Sequence, residues 1–146
     1  MQKIIGVIIV SICLLACDNK QTKAESITVN KALAQKYYEH FNNHNFVAMA
    51  AMYTDTAAFK DPSLGQGIVK QTRQQTIDKY TALVKQFPNL HDEVLQTYTS
   101  DNNHIIVEFI TKGTGEDNSK FELPVCTIFT ISNGYITNDY TYYNNF

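Results

Sequence analysis

Around Pro88 the hydrophobic pattern of this chain changes its period, and that change limits the folds open to it. Before Pro88 the apolar residues recur at helical spacing. Leu33, Tyr37, Phe41 and His44 stand at i, i+4, i+8 and i+11, with Ala34 and Tyr38 beside them, and make one buried stripe. Asn30 is a capping residue for that helix and "NNHN" at 42–45 breaks it, which predicts a helix from Asn30 through about Asn43. Asn45 can cap a second, short helix in "FVAMAAMYT", apolar nearly all round and so wedged inside. From Thr72 to Gln86 a third helix carries Ile77, Tyr80, Leu83 and Val84 on one side, with Phe87 just beyond it and Pro88 after. After Pro88 the segments "LHDEVLQTYTS", "HIIVEFITKGTG", "FELPVCTIFTIS" and "YITNDYTYYNN" are rich in β-branched and aromatic residues. "SDNN", "EDNS" and "SNG" separate them, so consecutive strands should pair antiparallel. Helices first and strands later is an α+β arrangement: a curved antiparallel sheet wrapped on three N-terminal helices. Such a sheet closes over its helices as a cone whose open end is an internal pocket. Tyr37, Phe41, Tyr53, Phe59, Ile77, Tyr80, Val107, Phe109, Ile128 and Phe129 are expected to be largely buried.

Between the second and third helices, "TAAFKDP" reads as a brief strand stopped by Pro62, and "SLGQG" as a loop. Alternation puts Ala57, Phe59 and Asp61 on one face, and Phe59 is too apolar to prefer the outside. Asp61 is therefore expected to open into the pocket, where partial desolvation would raise its pKa toward that of a useful base. The alternative is a plain turn former before Pro62. Tyr37 lies in the middle of the helical stripe, and its hydroxyl needs a partner when buried, in the core or in the pocket. Tyr53 reads in the same way. Glu108, inside "IIVEFI", is a charge amid apolar residues and needs a partner or an open cavity, so it joins Tyr53 and Phe59 as a pocket candidate. Cys126 reads as a small buried hydrophobe. His40 and His44 stand at i and i+4, but no third ligand follows at a metal-binding spacing, so neither metal nor cofactor is expected. Ser/His/Asp and Gly-rich phosphate signatures are absent.

The N-terminus has a different character. Lys3 precedes an apolar run from Ile4 to Leu15, too short for the roughly 20 residues that span a bilayer, and so reads as a signal segment. "LLAC" at 14–17 resembles the bacterial lipobox, which implies cleavage after residue 16 and a lipidated Cys17, with 17–29 as a polar tether and 30–146 as the domain. An ordinary secretory signal with a chance cysteine is the alternative. Without Lys3 the chain has 11 basic residues against 14 acidic ones, a balance that argues against nucleic acid as a partner. Removal of Cys13 and lipidation of Cys17 leave Cys126 alone, so no internal disulfide is expected and the fold rests on core burial.

Residues 31–146, most densely "KYYEHFNNHNFVAMAAMYTDTAAFKDP" at 36–62, resemble the nuclear transport factor 2-like superfamily in its SnoaL-like and steroid Δ-isomerase branch. The resemblance implies a general base at Asp61, an oxyanion donor at Tyr37 and a supporting tyrosine at Tyr53. The isomerases carry a second donor, a protonated aspartate, eight residues before a hairpin glycine; counting back from Gly134 puts Cys126 there. A thiol is a weak donor, so steroid isomerisation should be slow. The last strand, with Asp139 and Tyr140, Tyr142 and Tyr143, falls where SnoaL-like proteins carry polar pocket residues. The expected function is binding of a small apolar molecule at the bacterial cell envelope, with acid–base proton transfer if chemistry occurs. A non-catalytic carrier, or an interaction module dimerising through the outer face of the sheet, remain the alternatives.

Overall fold

The computed structural model describes residues 23–144, so the expected signal segment and Cys17 lie outside the described residues. Helix α1 runs Lys23–Asn42, α2 Phe46–Ala50 and α3 Arg73–Gln86. The strands are β1 Tyr53–Lys60, β2 Val69–Thr72, β3 His91–Thr99, β4 His104–Thr114, β5 Lys120–Ser132 and β6 Tyr135–Tyr142. No described helix is long and apolar enough to cross a membrane.

Helix α1 begins seven residues before the Asn30 cap expected from sequence, inside the expected tether. Tertiary contact explains the difference. Asn30 is buried and its Nδ2 donates to the Asn102 carbonyl (2.6 Å), which the Ser26 hydroxyl also reaches (3.0 Å). A side chain held by the β3–β4 turn is not free to cap its own backbone. Asn45 does cap α2, accepting from the Ala48 N–H. Thr72 caps α3 in a reciprocal capping box with Gln75.

The six strands form one curved, open sheet in the order β2-β1-β6-β5-β4-β3. From β3 to β6 consecutive strands pair antiparallel, as the turn residues predicted. Asn133 and Gly134 join β5 to β6 with positive φ at both positions (51° and 79°), the conformation a tight hairpin requires. Two features were not legible. Between the loop expected at 63–67 and α3 lies a strand, β2, which pairs antiparallel with β1, and β1 itself pairs parallel with β6. The sheet is therefore mixed, and the parallel pairing brings Tyr53 and Phe59 beside residues about eighty positions later.

The three helices cover the concave face. Tyr37, Tyr38 and Phe41 of α1 pack on Phe109 and Phe129, and all five are buried. The Asn42 side chain staples the end of α1 to β3, donating to the Asp92 carbonyl (2.9 Å) and accepting from its N–H (2.8 Å). Of the expected core, Ile77 and Tyr80 are half-buried against the cluster, and Tyr80 lines the cavity. Ile128 is half-buried on the convex face, since Val125, Thr127, Phe129 and Ile131 take the inner positions of β5.

Candidate functional site

A cavity of about 530 Å³ opens between α1, α3 and the concave face of the sheet. Its walls are mostly aromatic and aliphatic, among them Tyr37, Phe41, Tyr80, Phe109 and Phe129, and three aspartates line it: Asp61, Asp92 and Asp139. Their surroundings differ.

Tyr37 lines the cavity from α1, its ring edge-on to Phe129 at 5.0 Å. Behind it stands Tyr53, 1% exposed, whose hydroxyl is 3.1 Å from that of Tyr37 and 2.5 Å from Oδ2 of Asp139. The Thr141 hydroxyl donates to Oδ1 of the same carboxyl (3.0 Å) and meets Thr127 at 2.7 Å. Burial drives the Asp139 pKa up, and it outweighs the opposing hydrogen bonds from Tyr53 and Thr141. Burial likewise keeps Tyr37 and Tyr53 protonated, well above the ordinary phenol value of 10. Phe59 lies against Tyr53 (5.2 Å between ring centroids) and, like Tyr53, is buried behind the cavity wall.

A β-bulge puts Asp139 there. Thr130 pairs with Asn138 but Ile131 pairs with Ile136, so Thr137 is an extra residue on β6. The bulge shifts the alternation, and from Asp139 onward the odd-numbered residues Asp139, Thr141 and Tyr143 face the cavity.

Asp61 does face the cavity, as the alternation of β1 predicted, and is 8% exposed. Its carboxylate is not an open base. Lys79 of α3 forms an ion pair with Oδ2, while Oδ1 accepts from the Ser63 N–H (2.8 Å) and the Tyr143 hydroxyl (2.9 Å). Burial pushes its pKa up, but Lys79 and the Ser63 hydrogen bonds overcome it, and the net shift is downward. The expected rise is thereby corrected: a cation sits where only desolvation was foreseen. Asp61 also caps the short turn of Pro62–Leu64, so both sequence readings hold at once.

Asp92 of β3 is 5% exposed, and its Oδ1 accepts from the Thr111 hydroxyl at 2.7 Å. Burial raises its pKa to about 7 against that one hydrogen bond.

Glu108 and Cys126 are not in the pocket. They pair across β4 and β5 on the convex face, Glu108 exposed and beside the Tyr98 hydroxyl (3.3 Å), Cys126 half-buried. Strand parity is the reason: the neighbours Val107, Phe109, Val125 and Thr127 point inward, so Glu108 and Cys126 point out. The acid that joins the two tyrosines is Asp139. Lys79 escaped notice, although Thr76, Lys79, Tyr80, Leu83 and Phe87 share one helical stripe at i, i+3, i+4, i+7 and i+11. That spacing was its available signal. Asp92, at the second position of β3, carried none.

The family model described as "SnoaL-like domain" matches residues 34–138. No curated protein matches the chain. Among solved structures, the epoxide hydrolase/cyclase-like enzyme SalBIII, with a role in pyran ring formation in the polyether salinomycin, is similar at 16% identity and TM-score 0.70, over 81% of this chain and 92% of that one. A protein provisionally assigned as a polyketide cyclase, from Xanthomonas campestris pv. campestris, aligns at 19% identity and TM-score 0.71, over 82% and 93%. A protein of ketosteroid isomerase-like fold from Catenulispora acidiphila, solved with trimethylamine, aligns at 19% and 0.65, over 84% and 88%. At these identities the structures share the fold with this chain, and fold alone does not fix chemistry. With most of the domain matched by the family model, the chain belongs to the SnoaL-like domain family.

Proposed function

We propose that this domain binds a small, largely apolar molecule bearing a carbonyl group and hydrogen-bonds the carbonyl oxygen from Tyr37. The observation that carries this reading is the hydroxyl chain from the cavity wall through Tyr53 to the buried Asp139. A hydroxyl has one proton to give. With Asp139 ionised, Tyr53 donates to it, Tyr37 donates to Tyr53, and no phenol proton faces the cavity. With Asp139 protonated, it donates to Tyr53, Tyr53 donates to Tyr37, and Tyr37 donates outward. The upward shift of the Asp139 pKa moves the balance toward the second state. In that state Tyr37 is a donor where negative charge would develop on an enolate oxygen.

Asp61 is the base in this scheme for any proton removed beside that carbonyl. Its lowered pKa makes it a weak one, so binding is the primary activity and turnover slow. The small-molecule chemistry named for SalBIII, and the trimethylamine in the Catenulispora protein, support a ligand-holding role for the cone by analogy. We also place the domain at the bacterial cell envelope, tethered through lipid on Cys17, because of "LLAC"; Cys17→Ala should abolish palmitate labelling. A second reading, a module dimerising through the sheet, draws on the exposed Tyr98 and Tyr142 of the convex face. Sedimentation showing a monomer at high concentration would remove it.

The carbonyl reading is tested with 4-acetylbiphenyl by infrared difference spectroscopy. Its carbonyl stretch should move to lower frequency on binding, and by clearly less with Tyr37→Phe. Binding without a shift, or a shift indifferent to Tyr37→Phe, would refute the reading.

A further inference from the structure

We infer that Asp92 is a second polar anchor, taking a hydroxyl group at the far end of the ligand, so that the ligand is an elongated apolar molecule with a carbonyl at one end and a hydroxyl at the other. The carbonyl half rests on the reading above; the Asp92 half stands on its own geometry. Asp92 lines the cavity, is 5% exposed, and uses only Oδ1, on the Thr111 hydroxyl. Its Oδ2 has no hydrogen bond, and its carboxyl no ion pair, among the described residues. The Asn42 side chain holds its backbone through both the N–H and the carbonyl.

An acid this deep, without a cation and half-bonded, lowers stability unless something else completes it. Oδ1 ties β3 to β4 through Thr111, and Asn42 secures β3 through the backbone of residue 92, so neither contact uses Oδ2. A ligand group arriving in the cavity can take the place of water there.

The chemistry of that group follows from the titration of Asp92 near neutrality, to about 7. Both the acid and the carboxylate are populated there, and a hydroxyl can accept from the one and donate to the other. An ammonium would satisfy only the carboxylate and would carry a full charge into an aromatic cavity. The position keeps the two polar groups apart. Asp92 is on β3, and Asp139, behind the carbonyl anchor Tyr37, is on β6, three strand spacings away, roughly 14 Å across the sheet. Tyr38 of α1 and Thr127 of β5 lie on the same cavity with these two acids, and the Tyr38 phenol feels the charges of both.

Calorimetric titration of 4-acetylbiphenyl and 4-acetyl-4′-hydroxybiphenyl at neutral pH tests the assignment. The wild type should bind the hydroxylated probe about tenfold more tightly, the size expected of one hydrogen bond to an acid. Asp92→Leu should bring the two affinities together, and Asp92→Ala, as a second truncation, should do the same. Tyr37→Phe should weaken both probes and leave the tenfold ratio intact. A ratio that survives both Asp92 variants, a wild-type ratio near one, or no wild-type binding of either probe would overturn the inference. An intact ratio with no infrared shift would overturn the carbonyl reading alone.

Discussion

Asp61 and Asp139 line one cavity, 8% and 4% exposed, and yet their pKa values move in opposite directions. Burial acts upward on both. At the rim, Lys79 reaches Asp61 from α3 and reverses the sign. Deeper in, Asp139 is met directly by the hydroxyls of Tyr53 and Thr141, and burial prevails. Asp92, with Thr111 alone, goes the same way. The comparison teaches that hydroxyls do not compensate a buried carboxylate as a cation does. One cavity thus holds an ionised acid at its rim and acids inclined to keep their protons deeper in.

The strongest way to break the comparison is through the pH dependence of stability. An acid whose folded pKa is raised holds its proton more tightly in the fold. Its contribution is full below the unfolded value and is lost as pH rises through the folded one. For Asp92, the interval from the ordinary 3.8 to about 7 corresponds to a loss on the order of 4 kcal/mol. Urea unfolding should therefore show the wild type weakening between pH 4 and pH 8, and Asp92→Asn should remove the Asp92 share of that decline, leaving the share of Asp139, whose pKa is also raised. A variant as pH-dependent as the wild type would show that Asp92 is not the group responsible. Asp61 contributes oppositely, its share present above its unfolded pKa and lost as pH falls through the lowered folded value.

Removing the cation should make Asp61 resemble Asp139. Lys79→Met is expected to cost about 2 kcal/mol, less than the 3–5 of a fully buried pair, because the open cavity admits water. In that variant the carboxyl carbon of Asp61, followed by NMR, should titrate above 3.8; a value still below it would mean that Ser63 and Tyr143 suffice without the lysine.

Tyr53→Phe sharpens the contrast at the deep end. It cuts the chain between Asp139 and Tyr37 and should cost about 1 kcal/mol. The infrared shift of bound 4-acetylbiphenyl should shrink as well, although Tyr53 does not line the cavity. An unchanged shift would show that Tyr37 donates unaided.

The sequence alone determined the class of fold and the aim of Asp61. Helical stripes before Pro88 and alternation after it follow from local geometry, since 3.6-fold and twofold periods cannot be exchanged. The alternation of Ala57 and Phe59 in β1, carried on to Asp61, turned the carboxylate inward, and Asn133-Gly134 set the β5–β6 hairpin. Tertiary structure decided what those residues meet. Tyr53 and Asp139 are 86 positions apart and touch because β1 lies parallel to β6, a pairing no turn residue signals. The bulge at Thr137 turned Asp139 inward, and strand parity turned Cys126 and Glu108 outward. Whether an inward acid is charged then depends on which helix passes over it. Lys79 passes over Asp61, and the deeper acids have only hydroxyls. Local pattern fixes direction because it is written in neighbouring residues; the electrostatic state of a buried group is fixed by partners that only the closed sheet brings within reach.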